Sequence, residues 1–194
     1  MAFNFISIIC IKTMIMLDDI FKSHINELKF GYLKRKHPFR YCYLSSVFEN
    51  KPVVRTVVLR DMTEDYELVF FTDSRSQKVK QFQSNPNAEV LFYHPKKLRQ
   101  IKATGTISFL EDEEKLAHYR NKVQGSSLKD YITQSPPSTP IKNSDNVDYN
   151  EDEVHFCVML LRIEILEGLQ LKRPNHIRSR FKRANNWEGE FLVP

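Results

Sequence analysis

The stretch Pro52-Val-Val-Arg-Thr-Val-Val-Leu-Arg60 decides how the rest of the chain is read. β-Branched residues fill it, and its one proline stands at the first position, as in a β-strand. Alternation puts Val53, Arg55, Val57 and Leu59 on one face, so an arginine sits in an apolar row. A charge there is costly unless another charge or a bound anion meets it. Two explanations stay open: an arginine in a strand-edge or buried salt bridge, and an arginine that binds an anion. Arg60, near the strand's end, points to the other side.

Outward from this stretch the pattern repeats. Tyr41–Phe48, Leu68–Thr72, Glu89–Tyr93, Ile101–Leu110, Val154–Arg162 and Ile163–Glu167 are short runs rich in Val, Ile, Phe, Tyr and Thr. Turn signals such as Glu49-Asn50-Lys51-Pro52 separate them. Apolar spacing at Ile20, Phe21, His24, Ile25 and Leu28 predicts a helix over 17–33, with Asp18 and Asp19 in its first turn. Ser74-x-x-Gln77 has capping-box spacing, and Asn85-Pro86 ends the helix it opens. A third helix, Glu111–Val123, places Leu116, Tyr119 and Val123 on one face. Residues 124–152 turn to Ser, Pro, Thr, Asn and Asp and read as a long loop. The class is mainly β (α+β), a barrel or sandwich covered by helices.

With 194 residues the chain is read as one domain. Its 29 Lys+Arg against 24 Asp+Glu leave a net charge of +5, which favours an anionic partner: nucleic acid, a phosphorylated small molecule or a membrane surface. None of the five glycines has the spacing of a dinucleotide fingerprint or a P-loop, so side chains must hold any phosphate. Cys10, Cys42 and Cys157 form no CxxC or Cys/His cluster and read as free thiols in a reducing compartment. Residues 1–15 are apolar but short of the roughly 20 residues that span a bilayer, and they lack a signal-peptide pattern. They are taken as a non-core extension, 16–194 as the domain, the setting as cytoplasmic and no membrane as a partner.

Phe70-Phe-Thr-Asp-Ser-Arg-Ser-Gln-Lys78 runs from strand into helix. Free N–H groups at a helix start, hydroxyls and a first-turn lysine make an anion site, or else a capped helix with solvated charges. Gln100, before Ile101–Phe109, offers a planar amide suited to the edge of a heteroaromatic ring. The run Lys172, Arg173, His176, Arg178, Arg180, Lys182 and Arg183 is a nucleic-acid strip or a solvated hairpin, and its composition favours the hairpin. No catalytic residue and no metal ligand is assigned.

In their order and spacing these segments resemble the pyridoxamine 5'-phosphate oxidase family of FMN-binding split β-barrels, especially its shorter branch. The carriers are Arg55-Thr-Val-Val-Leu-Arg60, Phe71-Thr-Asp-Ser-Arg-Ser-Gln-Lys78, Asn85-Pro86, Arg99-Gln100, Tyr119, Ser127, Gln134-Ser135, His176-Ile-Arg178 and Trp187…Leu192-Val-Pro194. The resemblance implies a six-stranded antiparallel Greek-key split barrel with peripheral helices. It implies a homodimer holding FMN at the subunit interface, acting on a small phosphorylated or amine substrate, and leaves nucleic acid the least fitting partner. Arg55 and Lys78 would hold the FMN phosphate, with Gln77 where the family often has a second basic residue. Val57, Val58, Leu59, Phe71 and Thr72 would line the cofactor. Gln100 would reach it from one subunit, and Gln134, Ser135 and Arg178 from the other. Arg60, Tyr119, Ser127 and His176 match substrate positions. Three departures weaken the substrate site: Val123 replaces an arginine, Pro174 replaces the arginine of an Arg-Leu-His motif, and Leu166 replaces a flavin-contacting tryptophan.

Overall fold

The computed structural model describes residues 2–123 and 125–194, without the side chains of 2–13 and 15. Strands β1 (Tyr41–Phe48), β2 (Lys51–Met62), β3 (Glu67–Asp73), β4 (Asn87–His94), β5 (Arg99–Phe109) and β6 (Phe156–Gln170) run antiparallel in the order β3-β2-β1-β4-β5-β6. Pairing of β3 with β6 closes them into a barrel. The step from β3 past β2 and β1 to β4 makes the connection a Greek key. Strands β7 (Ile177–Lys182) and β8 (Gly189–Leu192) extend the sheet from β6.

Alternation dictates the wall. Cys42, Leu44 and Ser46 of β1 are buried, while Tyr41, Tyr43 and Val47 face outward. The turn into β2 has Glu49 and Asn50 at φ 51° and 59°, which suits the tight twist of a hairpin. In the core Phe39, Phe70, Phe92 and Phe181 are fully buried or nearly so, each contributing roughly 1.5–3 kcal/mol of burial. Gly105 marks a bulge against β6: a Cβ there would lie 1.8 Å from the Arg162 carbonyl oxygen.

Three helices cover the barrel. Helix α1 (Ala2–Leu33) contains the expected 17–33 segment and continues through most of the expected extension; Met1 lies outside the described residues. Phe21 of α1 stacks on Trp187 and meets Phe181 and Tyr66. Helix α2 (Gln77–Ser84) starts two residues later than the capping box predicts. Its N-cap is Ser76, which makes no side-chain cap bond because its hydroxyl pairs with Thr72 Oγ1 at 3.2 Å. Helix α3 (Glu113–Asn121) is capped by Asp112, which accepts the Lys115 N–H. Leu116, Tyr119 and Val123 pack with Phe71, Tyr131 and Phe156 outside the barrel wall, as their spacing predicts.

The loop over 124–152 includes a 3-10 segment (Gly125–Tyr131) and a single bridge between Thr133 and Tyr149. The basic C-terminal run forms the hairpin, with Arg178, Arg180, Lys182 and Arg183 engaged. Arg180 and Lys182 pair with Glu190, Arg178 pairs with Glu167, and Arg183 donates to the Ile163 and Asp65 carbonyls. Among the described residues no helix is long and apolar enough to cross a membrane.

Candidate functional site

Arg55 points inward, as alternation requires, opposite Leu44. Its guanidinium donates to the Leu44 carbonyl at 3.2 Å, Ser46 Oγ at 2.8 Å and Gln81 Oε1 at 2.6 Å. Every acceptor is neutral, and burial lowers its pKa. Lys78, in the first turn of α2, donates to Thr72 Oγ1 at 3.0 Å. Burial, and then the charge of Arg55, lower its pKa, while Asp73 and Cys157 act the other way. Among the described residues neither cation has a carboxylate within ion-pair distance. Two half-buried positive charges that sense one another and have no carboxylate paired to them make a setting suited to an anion.

Lys78 opens onto a cleft of about 260 Å³ on the outer wall. Thr56, Val57, Val58, Arg60, Phe71 and Thr72 line one side of it, and Asp130, Tyr131 and Pro137 the other. Arg60 lies over the Phe71 ring, 5.4 Å from its centre, and acts on the Tyr131 hydroxyl through charge and hydrogen bonding. Of the residues expected to contact cofactor or substrate, Val57, Val58, Phe71, Thr72, Lys78 and Arg60 therefore share one cleft.

Others lie apart from it. Arg55 stands behind the cleft, and Leu59 is fully buried in the core, leaving only its backbone to contribute. Gln77 is exposed at the start of α2, and Tyr119 sits edge-on to Phe71. Ser127 is half-buried in the 3-10 segment. Gln134 and Ser135 belong to the loop beside the same chain's cleft, where the Gln134 carbonyl accepts from Arg75 at 3.1 Å. Gln100 and Arg178 both register with Leu169 on β6, which puts them on one face of the sheet, away from that loop. Within one chain, then, Gln134 lies next to Arg75 near Lys78, and Gln100 and Arg178 flank Leu169 on neighbouring strands. His176 is exposed in the β6–β7 turn, accepting the Lys172 N–H at Nδ1. Val123 and Leu166, two of the departures, are both buried among apolar side chains.

Sequence reasoning passed over Asp73, Asp130, Tyr131 and Pro137 of the cleft. It also passed over a group around α1. Ligating atoms of Glu27, His37 and His94 lie within 4.8 Å of one another. His37 and His94 each accept a backbone N–H at Nδ1, at 3.2 and 3.3 Å, so each ring carries its proton on Nε2. Glu27 pairs with His37, Lys97 and Arg99. That chemistry is an ion-pair lock tying α1 to the β4–β5 turn rather than a metal centre.

A closed antiparallel barrel whose outer cleft brings Lys78 and Arg60 together, with Arg55 behind them, defines a split-barrel protein with a cationic cleft. Comparison with known proteins narrows the class. Residues 16–111 match the family described as pyridoxamine 5'-phosphate oxidase, FMN-binding domain. A pyridoxine/pyridoxamine 5'-phosphate oxidase of Deinococcus deserti is 27% identical over 179 residues, covering 82% of this chain and 81% of that protein. One of Psychrobacter cryohalolentis is 29% identical over 139 residues, covering 72% of this chain and 60% of that protein. The crystal structure of a pyridoxamine 5'-phosphate oxidase-related, FMN binding protein from Nostoc punctiforme superposes with a TM-score of 0.72 at 24% identity, over 89% of this chain and 96% of that one. PhzG from Burkholderia lata shares the fold at a TM-score of 0.65 and 16% identity, over 80% and 82% of the two chains. Residues 16–111 form a domain of the pyridoxamine 5'-phosphate oxidase-like, FMN-binding split-barrel family.

Proposed function

We propose that this protein is an FMN-dependent oxidoreductase that oxidises a small amine or alcohol, with the B6 phosphates as the first substrates to assay. The observation that carries this reading is the pair Arg55 and Lys78, one behind the cleft and one on it, each hydrogen-bonded to neutral partners only. A phosphate supplies the missing negative charge, with the Thr72 hydroxyl and Gln77 beside it. Bound FMN would supply a two-electron acceptor for a hydride equivalent leaving the substrate carbon. The chain's own part is orientation: Val57, Val58 and Phe71 give the ring an apolar wall, and Arg60 offers a cation to an anionic substrate group.

Gln100 and Arg178 reach a flavin in this scheme only from a second copy of the chain. An outward apolar face on β1, β2 and β4 supports that association: Tyr41, Val54 and Tyr93 are 61%, 62% and 42% exposed. An exposed patch of this kind marks an interface. The homodimer, with FMN at its interface, is therefore part of the proposal.

A second reading, a non-catalytic FMN-binding or flavin-sensing module, has its own support. Val123 is buried in the apolar cluster behind Tyr119, where the family places a substrate-binding arginine. Arg60 is then the one cation lining the substrate side of the cleft among the described residues. An absorbance spectrum of the purified protein and steady-state oxidation of pyridoxamine and pyridoxine 5'-phosphate separate the readings. Yellow protein that turns over either compound supports the oxidase, and yellow protein inert to both supports the module. Protein that stays colourless after FMN is added overturns both.

A further inference from the structure

We propose that Arg75 is a positioning residue of the flavin site, one that joins its two halves and keeps Asp73 from competing for Lys78. The proposal rests on the FMN reading above. Asp73 is 4% exposed yet lines the cleft beside Lys78. An uncompensated carboxylate there would repel a phosphate and draw Lys78 to itself. Arg75 prevents both. Its Nε and Nη2 donate to the two Asp73 oxygens at 3.2 and 2.7 Å, and its backbone N–H adds a third bond at 2.7 Å.

The same guanidinium also reaches across to the loop. Nη2 donates to the Thr133 carbonyl at 2.7 Å and to Thr133 Oγ1 at 3.1 Å, and Nη1 donates to the Gln134 carbonyl at 3.1 Å. One side chain thus fastens the turn bearing Thr72, Ser76 and Lys78 to the loop bearing Gln134 and Ser135. That loop forms one wall of the cleft through Tyr131 and Pro137. Within the loop's own fold lies a second cavity of about 370 Å³, lined only by residues between 129 and 149, which shares Asp130 and Pro137 with the cleft. Tyr131 anchors the start of this loop by packing on Phe156 and accepting the His155 N–H, and the neighbouring Thr133 and Gln134 are fastened by the side chain of Arg75. Lysine cannot replace it: a single ammonium meets the carboxylate or the carbonyls but lacks the planar fork that spans both.

The test is a titration of flavin-free protein with FMN, followed by flavin fluorescence, with visible circular dichroism of the bound flavin and a thermal melt alongside. Arg75→Ala is expected to weaken FMN by at least about tenfold and to change the dichroism. Adding Asp73→Asn to it restores part of the affinity by removing the competing charge, but leaves the dichroism altered because the bonds to Thr133 and Gln134 stay broken. Arg75→Lys, which keeps the charge and serves if the alanine variant does not fold, gives intermediate affinity with altered dichroism. Parent-like affinity and dichroism in Arg75→Ala or Arg75→Lys, in a protein where Lys78→Ala loses FMN, overturns the role of Arg75 and leaves the FMN reading standing. A parent protein that binds no FMN overturns that reading, and this proposal with it.

Discussion

Arg55 Nη2 donates to the neutral amide oxygen of Gln81 at 2.6 Å, where a carboxylate of the same shape would neutralise the guanidinium. That choice of amide over acid keeps positive charge available behind the cleft. Gln81→Glu is therefore expected to form a buried ion pair with Arg55 and to weaken FMN binding by about tenfold or more. Isothermal titration with FMN measures the loss. The melting temperature of the ligand-free variant, unchanged or higher, shows that the loss is not unfolding.

The outward face of β1 and β2 carries the second prediction. Val54 is 62% exposed on the outward patch, opposite Ser45 and diagonal to the exposed Tyr43 and Val47. Val54→Asp places a charge in that patch, which an interface core excludes. Sedimentation velocity is expected to give a dimer for the parent and a monomer for the variant. A parent that sediments as a monomer contradicts the proposed assembly.

Packing of α1 on the sheet supplies the third. A Cβ on Gly168 would lie 1.9 Å from His24 Nε2, so Gly168→Ala forces the imidazole out of place. The expected cost is about 1–3 kcal/mol. In Gly168→Ala/His24→Ala the clash is gone, and chemical denaturation is expected to show strong non-additivity between the two changes. Additive losses would mean that the ring yields without strain.

His24 also sets a pH dependence. Burial, and then the charge of Arg99, lower its pKa from 6.5 to about 4, with Glu27 opposing. Between those values the unfolded chain binds a proton that the folded chain does not, so stability rises with pH across the window. Stability is full above 6.5 and falls as the pH drops toward 4, by on the order of 3 kcal/mol. Glu27, whose pKa is lowered on balance, adds a loss in the same direction below its unfolded value of 4.5. Melting temperatures taken from pH 7 to 4 are expected to slope less in His24→Ala than in the parent.

Local chemistry was legible wherever a residue's role depends on its immediate neighbours in the chain. Alternation placed Arg55 inward and Arg60 outward, and β2 shows both. Helical spacing brought Leu116, Tyr119 and Val123 together. Helix α2 was found but its cap was misplaced, because Ser76 engages Thr72, a contact with the preceding strand that no capping rule contains. The group Glu27, His37 and His94 stayed invisible for a similar reason: its members come from a helix, a linker and a strand.

By itself, then, the sequence determined the strands, the inward arginine, the absence of a glycine loop for phosphate and the resemblance to a flavin-binding family. Period-2 and 3.6 patterns and a motif order written along the chain are local properties. The tertiary structure alone decided which residues share a cleft, since Lys78 meets Pro137 only after β3 and the loop are placed. It alone paired Gln100 with Arg178, through the register of β6 between them. It alone gave Arg75 its partners, Asp73 two residues away and Thr133 fifty-eight away. Those contacts arise from barrel closure, and no window along the chain is long enough to contain them.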